Sequence, residues 1–331
     1  MRFSLIFSSL LILAFSLLLS SCAPKSPLPA IQSPTVTPLP FLTPPPTPFR
    51  IIGYVTEDAI PELVPYDKLT HLNYAFVIPN ADGTFHGVNN PWKLKAIVEK
   101  AHAQGVQVLV SVGGWGWDTE FEQLAADPQT RAAFVSGLAA YTEEYHLDGL
   151  DMDWEYPDPG PSSQNFLALM QELRAVLPPE KLLTAAVVAH GTTGEGIPAE
   201  AFATMDFVNI MAYDGSDTDH SPYSYAQTAL DYWRGRGLPP EKTVLGVPFY
   251  ARPNWVPYRK LVESDPNASN TDTFEYFSQT VYYNGIPTMQ QKTHLAMENA
   301  SGIMIWALSH DTLDETSLLS AIFNTVHKRS P

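Results

Sequence analysis

Cysteine is almost absent from this chain: Cys22 is the only one in 331 residues. Internal disulfides and a cysteine-built zinc centre are both excluded, so stability must come from a packed core. Basic residues are also scarce, 19 Lys and Arg against 35 Asp and Glu, for a formal net charge of −16. That balance argues against nucleic acid and anionic lipid surfaces as partners and suits a neutral polymer. No G-x-G-x-x-G fingerprint follows the first strand-like run, which weakens a dinucleotide-binding fold. His71, His190, His220 and His310 lack metal-ligand spacing, and Ser111 lacks a nucleophile-elbow setting. Neither a zinc site nor a serine triad is therefore expected, and no metal or cofactor is implied.

The N-terminal fifty residues carry no pattern of a packed domain. Met1-Arg2 and the apolar run over residues 5–19 read as an export signal, too short to be a first choice for a permanent membrane span. The run ends in Leu19-Ser20-Ser21-Cys22. This resembles the bacterial lipoprotein box, which implies cleavage before Cys22 and its lipidation; an ordinary secretory signal is the alternative. Such an anchor would hold the protein at an extracytoplasmic membrane face without a spanning helix. The expected division is a signal at 1–21, a Pro/Thr/Ser-rich spacer at 22–49 and a folded domain at 50–331.

From residue 51 strand-like and helix-like segments alternate. Strands are expected at 51–55, 69–77, 106–112, 148–155, 182–188, 207–212, 244–250 and 301–308. Helices are expected near 60–66, at 91–104 with Asn90 as cap and Gly105 as stop, and at 128–145, 163–176, 225–234, 288–300 and 314–327. A short helical turn is expected at 200–203. Eight such units in one domain imply a single (β/α)8 TIM barrel with right-handed crossovers. The longest connection, 251–300, has no room for a large inserted domain.

Residues 148–155, Asp-Gly-Leu-Asp-Met-Asp-Trp-Glu, put four carboxylates into one strand-like segment. Alternate side chains share a face, so Asp151, Asp153 and Glu155 point one way and Leu150, Met152 and Trp154 the other. A solvated edge strand fits poorly with the apolar face, and a calcium loop with the apolar intervening positions. Buried carboxylates crowded together push their pKa values apart, which keeps one protonated as a general acid.

In a TIM barrel the active site lies at the C-terminal strand ends. Ser111-Val112-Gly113-Gly114-Trp115 closes the third strand, Met211-Ala212-Tyr213-Asp214 the sixth, Phe249-Tyr250-Ala251-Arg252 the seventh and Trp306 the eighth, while Tyr54 closes the first. Aromatic rings around carboxylates suit a sugar ring, with Tyr54, Trp115, Asp214, Arg252 and Trp306 as candidate binding residues. Trp154 is expected to pack against helices.

With these residues together, the sequence resembles the family 18 glycoside hydrolases, the chitinase-like barrels. The resemblance runs from Ile52 to about Asp311 and rests on D-x-x-D-x-D-x-E, Ser-x-Gly-Gly, Met-x-Tyr-Asp and Trp306. It implies that Glu155 is the acid and then the base, and that the substrate's own 2-acetamido oxygen is the nucleophile, with retention. It further implies that Asp153 orients the acetamido N–H, that Asp151 shares a proton with Asp153, and that Tyr213 aligns the acetamido carbonyl. Asp214 would line the leaving-group side and Trp306 the floor. Asp148 would support the network from outside the strand face, with Ser111, Gly113 and Gly114 as further structural support.

Ala251 departs from the glycine many relatives carry before the arginine. The missing inserted domain implies an open groove and endo-type cutting. The implied activity is hydrolysis of β-1,4-linked N-acetylglucosamine polymers by a monomer. An endo-β-N-acetylglucosaminidase of N-glycans or peptidoglycan is the alternative, and a non-catalytic lectin is disfavoured because Glu155 is present.

Overall fold

The computed structural model describes residues 48–218 and 220–328. The expected signal segment, Cys22 and almost all of the spacer lie outside the described residues.

Eight parallel strands close into a barrel: β1 Arg50–Val55, β2 His71–Pro79, β3 Gln107–Gly113, β4 Gly149–Asp153, β5 Leu182–Val188, β6 Phe207–Met211, β7 Thr243–Pro248 and β8 Gly302–Trp306. Each pairs with its sequence neighbours, and β1 also pairs with β8, which closes the ring. The chain is thus the TIM barrel its alternating pattern predicts. Outward-facing residues such as Val108, Val110, Leu150 and Met152 are buried against the helical layer. A smaller inner cluster includes Ile52, Tyr54, Ala75, Ala186, Phe207, Met211 and Met304, the side chains that fill the barrel.

The helices around the ring are α1 Pro91–His102, α2 Asp118–Ala126, α3 Pro128–Glu144, α4 Pro161–Val176, α5 Tyr223–Gly235, α6 Tyr258–Ser264, α7 Ile286–Asn299 and α8 Leu318–His327. Local chemistry sets their ends. Asp127 caps α3 by accepting from the Gln129 and Thr130 N–H groups, with Pro128 in the first turn. Trp154 leaves the barrel outward, as expected, and stacks on Phe121 of α2 with ring centroids 5.1 Å apart. Its indole N–H donates to Asp118 at 2.8 Å.

Several expectations need correction. The segment near 60–66 forms two 3-10 turns, Pro61–Leu63 and Tyr66–Lys68, because Pro61 and Pro65 interrupt a helical ladder. Asn90 precedes α1, but its side chain makes no capping bond. Helix α8 begins at Leu318 and not near 314. Asp314 is used in a local turn, accepting from the Thr316 N–H, and Ser317 caps the helix by accepting from the Ser320 N–H. Helix α2 was not anticipated. The connection from β7 to β8 holds α6, α7 and a hairpin, Thr273–Tyr276 with Gln279–Tyr282, and no large domain.

The barrel register builds the floor of the site. Asp151 lies level with Ser111 on β3 and Thr184 on β5, so three polar side chains share one inward layer. Asp153 lies level with Gly113, whose φ is +112°. A Cβ at Gly113 would stand 2.4 Å from the Asp153 carbonyl oxygen, so glycine is required there. The Gly114 N–H donates to that same carbonyl at 2.8 Å. Between Ala75 and Val77 the β2–β3 register shifts, and Phe76 lines the cleft.

Candidate active site

At the C-terminal mouth of the barrel lies a cleft of about 650 Å³ that holds Asp153, Glu155, Tyr213 and Asp214 among aromatic walls. A second cavity of about 540 Å³, bounded by Asp58, Ile60, Leu63 and Leu313, contains none of the acid row.

Asp151 is completely buried beneath the cleft and is held by four side-chain donors. Tyr54 and Ser111 donate to Oδ2 at 2.5 and 2.9 Å, and Thr184 and Asn209 to Oδ1 at 2.5 and 3.1 Å. Burial raises its pKa, while all four hydrogen bonds pull it back. Asp153, one inward position further on, has no such support. Among the described residues its buried Oδ1 has no hydrogen-bond partner. Burial, then the charges of Glu155 and Asp151, drive its pKa well above the ordinary value. Both carboxyl pKa values are therefore raised, Asp153 further than Asp151 because it lacks the four donors.

Glu155 follows the strand and faces the cleft. Burial raises its pKa; a hydrogen bond with Tyr156 acts against this, and the Asp214 carboxylate adds to it. A glutamic acid that keeps its proton toward neutral pH can protonate a leaving group and afterwards act as a base. Tyr213 has a hydroxyl pKa raised well above the ordinary value by burial, by Tyr250 and by the acids, so it stays a donor. Its contact among the described residues is a long one, 4.0 Å to Met304 Sδ.

Asp214 adopts φ +57°, a left-handed conformation that aspartate tolerates. Burial works against its charge, but hydrogen bonds involving His220 and Tyr250, together with Arg252, bring its pKa below the usual value. Tyr250 donates to Oδ2 at 2.8 Å, and Arg252 stands 3.6 Å from Oδ1. The indole of Trp306 lies 5.5 Å from the Tyr54 ring and 5.7 Å from Phe76, at the base of the cleft.

Most of the expected site residues thus converge, with one correction. Asp148 sits at the opposite end of β4, where it accepts from the Val108 N–H at 2.7 Å and contacts His102 at 2.8 Å. It ties β4 to β3 and α1 and does not support the acid network, because the strand carries it to the far end of the barrel. Tyr54 lines the cleft, and its buried hydroxyl is committed to Asp151, a tie the sequence reading did not anticipate. Thr184, Asn209, Phe76, Tyr156 and Trp255 were not anticipated. The available signal for Thr184 and Asn209 was a lone polar residue in an otherwise apolar strand.

With this geometry in place, the model for glycosyl hydrolases family 18 matches residues 50–311. The chain belongs to that family. It is similar to a chitinase-like effector of Moniliophthora roreri, 32% identical over 231 residues, covering 60% of this chain and 56% of the relative. It is also similar to Chitinase 1 of Aphanocladium album, 27% identical over 241 residues, with 58% and 57% covered. The chain spans little more than half the length of these curated relatives. Among solved structures it resembles a chitinase from Bacteroides thetaiotaomicron, with TM-score 0.76 and 27% identity over 85% of this chain and 97% of that one. The chitinase ChiB of Flavobacterium johnsoniae gives TM-score 0.73 and 28% identity, covering 85% and 94%.

The charge of Asp214 raises the Glu155 pKa, so Asp214→Asn is expected to lower it. Carbon-13 NMR titration of the Glu155 carboxyl checks this; an unchanged or higher midpoint would show that the two groups do not interact.

Proposed function

We propose that this protein hydrolyses β-1,4-linked N-acetylglucosamine polymers with retention, using the substrate's own acetamido group. The observation that carries the proposal is the row Asp151, Asp153, Glu155 running from a buried, four-donor anchor to a half-buried acid in an aromatic cleft. The relatives and solved structures named as chitinases support the choice of polymer.

Glu155 gives its proton to the glycosidic oxygen as the C1–O bond breaks. The acetamido carbonyl oxygen bonds to C1 on the opposite face, forming an oxazolinium ring. Asp153 accepts the acetamido N–H, and its own proton is shared with its carboxylate neighbours as it turns. Tyr213 donates to the acetamido carbonyl and aligns it. The Glu155 carboxylate then takes a proton from water, whose oxygen attacks C1 and opens the ring with net retention. Aromatic stacking of the sugar falls to Trp306 at the base. The connection from β7 to β8 adds short elements, among them α6, α7 and a hairpin, and no large domain, which favours an open groove and endo-type cutting. The same acids would serve a 2-acetamido sugar in an N-glycan or in peptidoglycan.

The N-terminal sequence adds a location: export, with lipid attachment at Cys22 and a proline-rich spacer between anchor and enzyme. Labelled palmitate should enter the wild-type chain and not Cys22→Ala; equal labelling of both would remove the anchor.

Glu155→Gln is expected to lose about 10²–10⁴-fold in turnover on N-acetylglucosamine oligomers, the usual worth of a positioned acid–base. Products from the wild type should retain the β-anomer. Activity retained in the variant, or an inverted product, would overturn the mechanism. Intact oligomers together with glycan released from a high-mannose glycopeptide would reassign the substrate.

A further inference from the structure

Helix α7 carries a lysine on the face it turns to the core. Lys292 is completely buried alongside Met289, Leu295 and Ala296. A buried ammonium is costly unless its protons are all used, and packing alone would be served by an apolar side chain. Burial lowers the Lys292 pKa to about 7, with the Asp272 carboxylate acting against this.

The partners of Lys292 are neutral oxygens. Its Nζ donates to the Ser221 carbonyl and to Ser221 Oγ, both at 2.6 Å, and to Asn284 Oδ1 at 2.7 Å. Three acceptors thus match the three donors of an ammonium, which accepts nothing in return. Asn284 is turned for this role, since its Nδ2 donates to the Ser221 and Tyr283 carbonyls, each at 2.9 Å. The Ser221 hydroxyl has a single proton and Lys292 cannot take it. It is donated to the Ala212 carbonyl, 2.6 Å away. The direction of that bond is therefore imposed from α7.

Ala212 immediately precedes Tyr213. The chain from Ala212 to Ser221 leaves β6, carries Tyr213 and Asp214 to the cleft and returns toward α5. The bond from Ser221 to Ala212 closes the neck of this loop. Asp214 has further ties of its own. Its N–H donates to His220 Nδ1 at 3.2 Å, and His220 Nε2 donates to the Tyr250 carbonyl at 3.1 Å. The Tyr213 hydroxyl, by contrast, has the long contact to Met304 Sδ at 4.0 Å. So weak a hold on the tip leaves the aim of this phenol to be set from its backbone end, and the peptide between Ala212 and Tyr213 is that end.

We propose that Lys292 is a positioning residue for Tyr213: through the Ser221 hydroxyl it fixes the Ala212–Tyr213 peptide and so aims the phenol at the acetamido carbonyl. This rests on the role given to Tyr213 above. Lys292 does not line the cleft and acts only through the loop. Such a role shows in turnover and not in binding, because alignment matters most as the acetamido oxygen attacks C1.

The test compares kcat and KM on N-acetylglucosamine tetramer at pH 6, where the ammonium form of Lys292 prevails. Ser221→Ala and Lys292→Met are made alone and together with Tyr213→Phe. Each alone is expected to lower kcat about tenfold to a hundredfold, with KM within about twofold of wild type. In the Tyr213→Phe background each should lower kcat by less than about twofold, since the group they position is already gone. Ser221→Ala deletes one hydroxyl and decides the matter even where Lys292→Met does not fold. Wild-type kcat in Ser221→Ala, a raised KM at unchanged kcat, or the same loss with and without the Tyr213 hydroxyl would overturn the proposal. A wild type inactive on the oligomer, or Tyr213→Phe with undiminished kcat, would instead overturn the function on which it rests.

Discussion

Everything at the mouth of the barrel depends on one buried carboxylate. Asp151 sits in the inner layer with no exposure to water, a position where an unpaired charge costs several kcal/mol. Four hydrogen bonds to it, each worth about 1.5–3 kcal/mol when the acceptor is charged, offset part of that cost, and burial still leaves its pKa raised. They come from β1, β3, β5 and β6, so the charge also fastens four strands to one point. Asp153 receives none of this help among the described residues, and its pKa is driven further up. The difference between two aspartates in one strand thus arises from which of them the neighbouring strands can reach.

That asymmetry propagates outward. A charged Asp151 raises the pKa of Asp153, and the Asp214 carboxylate across the cleft raises that of Glu155. Asp214 can stay charged so close to an acid because Tyr250 and Arg252 hold it. Arg252 in turn lies over Trp255 and pairs with the hairpin strand. Charge placement at the reacting centre and shape at the rim are therefore built from a shared set of contacts.

The barrel and the acid row were legible because both are local patterns. Period-two alternation placed Asp151, Asp153 and Glu155 on one face and sent Trp154 outward to Phe121. The partners of Asp151 were not legible, because Thr184 and Asn209 meet it only through strand register, which spans tens of residues. The tie between Tyr54 and Asp151 was missed for the same reason: β1 and β4 are not adjacent, and only barrel closure brings the hydroxyl to the carboxylate. Asp148 was misassigned because proximity in sequence to the acids hid its place at the other end of the strand. The hairpin carrying Phe277 was missed because Phe-Ser has none of the Asn-Gly chemistry that marks such turns.

Neutron diffraction from deuterium-exchanged crystals of the free enzyme near neutral pH tests the location of charge and proton in the acid row most directly. A deuteron on the Asp153 carboxyl is predicted, with the Tyr54, Ser111 and Thr184 hydroxyl deuterons all aimed at a bare Asp151. A deuteron on Asp151, with those hydroxyls turned away and Asp153 bare, would contradict the account.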